Sequence, residues 1–232
     1  MNDHQLQQQK VINKIEEQVK TNSLNFSTVS PVEDYENDPR VCLTSVHLPN
    51  EEFKFQIREL LTEPLRKIAP DFYYYTADSL HMTIKNICVI NNPPHFTKEN
   101  VNKARKVFSQ IISTHKQFNV YFYKLLLFPN NLALIGTTDS ELDSIVLDLD
   151  KTLNKAEMPD DKVYSNSKYF FSNITLARFN TPPSEEFKQK VKALSDSMHF
   201  KPYVVNSVTL LSCNAVFKHR KIIETWHLKE RP

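Results

Sequence analysis

The sequence predicts an α+β protein of two pseudo-symmetric lobes, each an antiparallel sheet with helices on its outer face, around a central cleft. Three observations lead there. Strand-like and helix-like patterns alternate from residue 40 onward. Their order over residues 40–137 roughly recurs over residues 131–228. Inside that recurrence, "SLHMTIKNI" (79–87) and "FSNITLARF" (171–179) match position by position, setting His81 over Asn173 and Thr83 over Thr175.

Taken in order, residues 4–20 carry Leu6, Val11, Ile12, Ile15 and Val19 at helical spacing and predict an accessory helix packed on the main body. Residues 21–39 are aperiodic and contain Pro31 and Pro39, so the chain divides into a helix and connecting arm (1–39) and a bilobal domain (40–232). "RVCLTSVHL" (40–48) is a strand by its β-branched content. Residues 50–69 predict a helix capped by Asn50, with Phe53, Ile57, Leu60, Leu61, Leu65 and Ile68 as its buried stripe and a bend or stop at Pro64. "FYYY" leads into the strand of "LHMTIKNICVI", and Thr97 opens a helix over 97–114. Strands near 117–127 and 131–137 follow, joined by "FPNN". A capped helix (139–156), a polar loop (157–168), the strand of "YFFSNITLARF" and a helix (183–198) come next. "VVNSVTLLSCNAVF" and "KIIETWHL" close the chain as an antiparallel pair.

Composition excludes several function classes. The 29 basic and 27 acidic residues leave a net charge of +2, too little for an overall field that attracts nucleic acid, so any such site must be a local basic pocket. Gly136 is the single glycine, which excludes a P-loop or dinucleotide fingerprint and leaves phosphate binding to side chains. Cys42, Cys88 and Cys213 are scattered in apolar runs without zinc-ligand spacing, as expected of buried thiols in a reducing compartment. The polar start "MNDHQLQQQK" is no signal peptide, and no apolar run approaches the ~20 residues that span a bilayer. The expectation is a cytoplasmic protein.

The matched stretches carry the chemistry. Strand side chains alternate faces, so His81 and Thr83 point one way, as do Asn173 and Thr175, while Met82, Ile84, Ile174 and Leu176 anchor the other side. If the lobes are related by a twofold, the polar pairs converge across the cleft. A phosphate between them accepts hydrogen bonds from both threonine hydroxyls, and the imidazole moves a proton near neutral pH. The other histidines form no such constellation, and the tyrosines at 73–75 and the basic "FKHRK" (217–221) read as core and hairpin tip.

A histidine, any residue, then threonine or serine, on strands of two mirrored lobes, resembles the two-histidine (2H) phosphoesterase superfamily. That group includes bacterial 2'-5' RNA ligases, cyclic nucleotide phosphodiesterases and related RNA-processing enzymes. The resemblance covers about residues 40–228; "HMTIKNI" fits the first motif, and "NITLARF" fits the second except at its leading residue. The ending "VTLLSCNAV…ETWHL" resembles the closing hairpin, with Arg220 where many members carry tyrosine. What the resemblance implies is metal-independent, cofactor-free attack on a 2',3'-cyclic phosphate or 2'-5' phosphodiester, one histidine activating the nucleophile and the other protonating the leaving oxygen. Carried over, His81 transfers the proton, Thr83 and Thr175 hold the phosphate, and Lys85 and Arg178 supply positive charge at the rim. Lys85 shares its strand face with His81, whereas Arg178 shares one with Thr175 only if the strand bulges or ends nearby. The ligand implied is the phosphate of an RNA or nucleotide, bound by a monomer with no membrane contact.

Asn173 departs from that pattern, because an amide has no proton to exchange. Three alternatives follow: another group such as His227 or a tyrosine substitutes, or the chain is a slow enzyme or a catalytically impaired binding protein, or the asparagine replaces a natural histidine of nearly the same shape.

Overall fold

The computed structural model describes residues 2–158 and 161–231. Two antiparallel sheets form its centre. The first takes β1 (Val41–His47), β3 (Met82–Asn91), β8 (Ser207–Cys213) and β9 (Arg220–His227) in the order β3-β1-β8-β9. The second takes β2 (Tyr73–Tyr74), β4 (Phe118–Phe128), β5 (Asn131–Thr138), β6 (Ser172–Arg178) and β7 (Tyr203–Val205) in the order β2-β6-β5-β4-β7. The two-sheet α+β class is as expected, but the sheets are not successive halves of the chain. The closing hairpin returns to pair β8 with β1, and the run read as one strand from 204 breaks at Asn206, giving β7 to the second sheet.

Helices α4 (Lys98–Ile112), α5 (Glu141–Lys155) and α6 (Glu185–Ser197) cover the sheets; Thr97 caps α4 through a capping box with Asn100, and Ser184 caps α6. No helix among the described residues is long and apolar enough to cross a membrane.

The helix read over 50–69 is interrupted. Asn50 caps α2 (Glu51–Ile57), a π-turn follows over Arg58–Thr62, and α3 (Glu63–Arg66) resumes. Pro64 has no N–H to donate backward, and the Glu63 N–H bonds to Arg58 O, five residues earlier. The extra residue rotates the stripe: Ile57, Leu61 and Leu65 are fully buried, whereas Leu60, expected inside, is 48 % exposed.

Helix α1 (Asp3–Lys20) starts at Asn2, whose side chain accepts from the Gln5 N–H. Ile12 and Ile15 pack on Leu126, Ala133 and Ile135. Leu6, expected in the buried stripe, is exposed, and Gln8 is buried instead. Its amide donates to Thr138 Oγ1 at 2.7 Å and accepts from Thr138 N at 2.8 Å, so it splices the helix to the end of β5 without an orphaned polar group. Ala133 and Ile135 stand opposite Thr175 and Asn173 in the β5–β6 ladder. α1 therefore lies on the same sheet face as those two site candidates.

Gly136 sits where β4 bulges between Phe122 and Lys124. A Cβ there would lie 2.8 Å from Val120 Cγ1 and 3.0 Å from the Tyr121 carbonyl oxygen. Gly136→Ala is expected to destabilise the fold by about 1–3 kcal/mol through overpacking, measured by denaturant unfolding; an unchanged midpoint would show that β4 yields freely.

Candidate active site

Two bulges build the site. In β3, Thr83 stands opposite Val46 and Lys85 opposite Ser45, so Ile84 is an extra residue. In β6, Thr175 stands opposite Ala133 and Ala177 opposite Leu132, so Leu176 is extra. Each bulge shifts the alternation of the strand beyond it by one. β3 then presents His81, Thr83 and Asn86 to one cavity, and β6 presents Asn173, Thr175 and Arg178 to the same cavity, of about 290 Å³. The spacing repeats on both strands, 81/83/86 and 173/175/178, so the local pseudo-symmetry includes the distortion.

Lys85, expected at the rim, is the correction that follows. Turned over by the bulge at Ile84, it is fully buried, ion-paired with Asp150 of α5, and its ammonium lies 4.8 Å from the Tyr164 ring centroid. Asn86 takes the cavity position. Arg178 is moved in the opposite sense: strict alternation would point it away from Thr175, and the bulge at Leu176 brings it in.

His81 is 7 % exposed. Its Nδ1–H donates to the Ser79 carbonyl at 2.7 Å, which leaves Nε2 as the basic nitrogen. The ring stacks on Phe217, with 3.5 Å between centroids and 18° between planes. Burial, reinforced by the Arg178 and Arg220 cations, lowers its pKa to about 4, so the imidazole is neutral at pH 7. Phe217 holds a φ of 62°, strained for a bulky residue, at the tip of the β8–β9 hairpin. The same residue lays its aromatic face over the imidazole.

Arg178 is 7 % exposed, and its Nε donates to Tyr75 Oη at 2.9 Å. Tyr75 in turn donates to the Ala215 carbonyl at 2.7 Å, which locks the fork in place. Among the described residues no carboxylate pairs with Arg178 or lines the cavity. A buried cation without an internal anion is costly, and the arrangement suits an anionic ligand that completes it.

The third wall comes from loops. Lys162, in the segment between α5 and β6, donates from Nζ to the Ser27 carbonyl at 2.7 Å and lines the cavity. Burial lowers its pKa to about 8; Asp161 and Cys42 oppose that fall, and Arg178 adds to it. Ser27 N donates to Val163 O at 3.0 Å and Val163 N donates to Ser27 Oγ at 2.9 Å, clamping the amino-terminal arm to this segment. The arm, read as a connector, is thus part of the cavity wall.

Sequence reasoning missed Asn86, Tyr75, Phe217 and Lys162. His227, named as a substitute for the second imidazole, is exposed on β9 and does not line the cavity; Tyr164 and Tyr169 do. His47 is a packed histidine, bonded to Ser207 O and Tyr203 Oη. No group of three or more His, Cys, Asp or Glu among the described residues is placed to hold a metal ion.

No family model matches the chain, and no curated protein matches its sequence. Solved structures do match its fold. Escherichia coli LigT in apo form aligns with a TM-score of 0.55 at 15% identity, covering 83% of this chain and 99% of LigT. The protein TT0787 of Thermus thermophilus aligns with a TM-score of 0.56 at 13% identity, covering 83% of this chain and 100% of that one. A chain described as a phosphoesterase aligns with a TM-score of 0.55 at 14% identity, covering 82% and 99%. At these identities the likeness shows the fold: the bilobal arrangement expected from the resemblance is that of LigT.

Proposed function

We propose that this chain is a phosphoesterase of the two-histidine type, acting on the 2',3'-cyclic phosphate or 2'-5' phosphodiester of an RNA or nucleotide. One observation carries the reading: two bulged strands present His-x-Thr and Asn-x-Thr, each with a third polar group, to one cavity that holds a buried arginine and, among the described residues, no carboxylate. The fold adds support, since LigT structures are described as complexes with 3'-AMP and with phosphate.

In this reading the phosphoryl group sits between Thr83 and Thr175, which donate hydroxyl hydrogen bonds. Arg178 supplies a positive charge that no carboxylate among the described residues compensates. His81 Nε2 takes the proton of the attacking water, a role that requires the neutral ring described above. Asn173 donates an amide hydrogen bond to a phosphate oxygen and moves no proton. The test is hydrolysis of a 2',3'-cyclic nucleotide to a phosphomonoester in the presence of a chelator. Absence of product from both a cyclic nucleotide and a 2'-5' dinucleotide would overturn it.

Asn173 also favours a second reading, a nucleotide- or RNA-binding protein of the same fold without turnover. It predicts that 3'-AMP binds, that no cyclic nucleotide is hydrolysed, and that Asn173→His creates hydrolysis where there was none. A wild-type chain that turns over on its own excludes it.

A further inference from the structure

We infer that Lys162 protonates the leaving ribose oxygen, the step that Asn173 cannot perform; the role presupposes the phosphoesterase reading above. The cavity narrows the choice. Among the described residues, its titratable side chains are Cys42, His81, Lys162, Tyr164, Tyr169 and Arg178. A guanidinium does not release a proton near neutral pH. The Cys42 thiol is turned to β8, bonded to the carbonyl and thiol of Cys213, each at 3.4 Å. Tyr164 Oη donates to Asn86 O at 3.2 Å and accepts from Asn86 N at 3.1 Å, so its proton is committed to the strand. The Tyr169 ring is set against His4 of α1, centroids 6.0 Å apart.

Lys162 differs in both anchorage and chemistry. The Ser27–Val163 clamp fixes the residue beside it, and the Ser27 carbonyl orients its ammonium without being able to take the proton. Burial has drawn its pKa to about 8 while that of His81 is about 4. Two groups pushed apart in this way mark an acid and a base. Between those values the imidazole is neutral and the ammonium charged. Among the described residues, Asp161, Arg178 and the titratable Cys42 thiol act on Lys162, and Arg178 and Arg220 act on His81.

The step balances. Water oxygen bonds to phosphorus as His81 Nε2 takes one water proton, the bond from phosphorus to the ribose oxygen breaks, and that oxygen takes a proton from Lys162 Nζ. Phosphodiester and water become phosphomonoester and alcohol; solvent then carries the proton from His81 back to Lys162.

Lys162→Arg keeps the charge and withholds the proton, so it separates the two roles. With a 2',3'-cyclic nucleotide, kcat is expected to fall ~10²–10⁴-fold with KM within about three-fold of wild type. With a nucleoside 4-nitrophenyl phosphodiester, whose nitrophenolate leaves unprotonated, the fall is expected to stay below about ten-fold. Equal losses on both substrates, or none on either, overturn the assignment. If the variant fails to fold, the wild type decides. Its alkaline limb near pH 8 is expected with the cyclic nucleotide and absent with the nitrophenyl ester, and the same limb on both overturns the role of Lys162. A wild type inactive on both substrates overturns the phosphoesterase reading itself.

Discussion

His81→Ala is expected to lower kcat for a 2',3'-cyclic nucleotide by ~10²–10⁴, the usual contribution of a positioned general base. The acidic limb of the pH profile, set near pH 4 in the wild type by a ring that must be neutral to act, disappears with it. Removing a buried ring that stacks on Phe217 also costs stability, so the loss of rate needs a control that keeps more of the packing. His81→Asn is that control, since its amide restores a donor for the Ser79 carbonyl but supplies no base. Both variants are expected to be equally slow, with the asparagine variant melting higher. Added imidazole is expected to restore part of the rate to the alanine variant by entering the vacated space. A full rate in either variant, or an acidic limb that survives both, would remove His81 from the chemistry.

Much of this site was legible in the sequence because it is built on periodicity. Alternation alone put His81 with Thr83 and Asn173 with Thr175, and the repeated stretch put the two pairs in facing positions. Alternation also failed in one definite way. A bulge is a mismatch in residue count between paired strands, and nothing within "MTIKNI" or "ITLARF" marks it. Lys85 was therefore read into the cavity and Asn86 out of it. Arg178 was reachable only as a conditional, and the condition was met.

The remaining participants lie beyond any local pattern. Tyr75 reaches Arg178 across 103 positions, and Phe217 reaches His81 from the far hairpin. Tyr75 reads as core and Phe217 as part of a hairpin tip, because a stacked or hydrogen-bonded aromatic leaves no distinct trace in sequence. Lys162 lies in a polar loop, and its burial depends on an arm more than a hundred residues earlier, joined to it through Ser27. The same holds for Leu60, whose helical phase was right until the π-turn before Pro64 displaced it.

Arg178→Met is expected to give the second large effect, with opposite signs on binding and stability. The wild-type protein keeps Arg178 buried with no carboxylate beside it among the described residues, a cost that a phosphate offsets and an empty cavity does not. A thioether of similar length removes that cost, and Tyr75 Oη keeps its bond to the Ala215 carbonyl, so no buried donor is orphaned. The free variant is expected to melt at or above the wild-type temperature, the usual sign that a residue is held for function. Binding falls instead: two charge-assisted hydrogen bonds at ~1.5–3 kcal/mol each imply a KM at least ~10²-fold higher. The acidic limb should move upward as well, because one of the cations opposing the His81 imidazolium is gone, and burial, the larger cause, keeps it below the ordinary histidine range. Arg178→Lys should keep the limb in place, since the charge remains, yet leave KM high, since the ammonium lacks the planar fork. Calorimetry and a pH–rate series read all three quantities on the same two variants. A lower melting temperature with unchanged KM would make Arg178 a structural residue and leave the phosphate without its principal counter-charge.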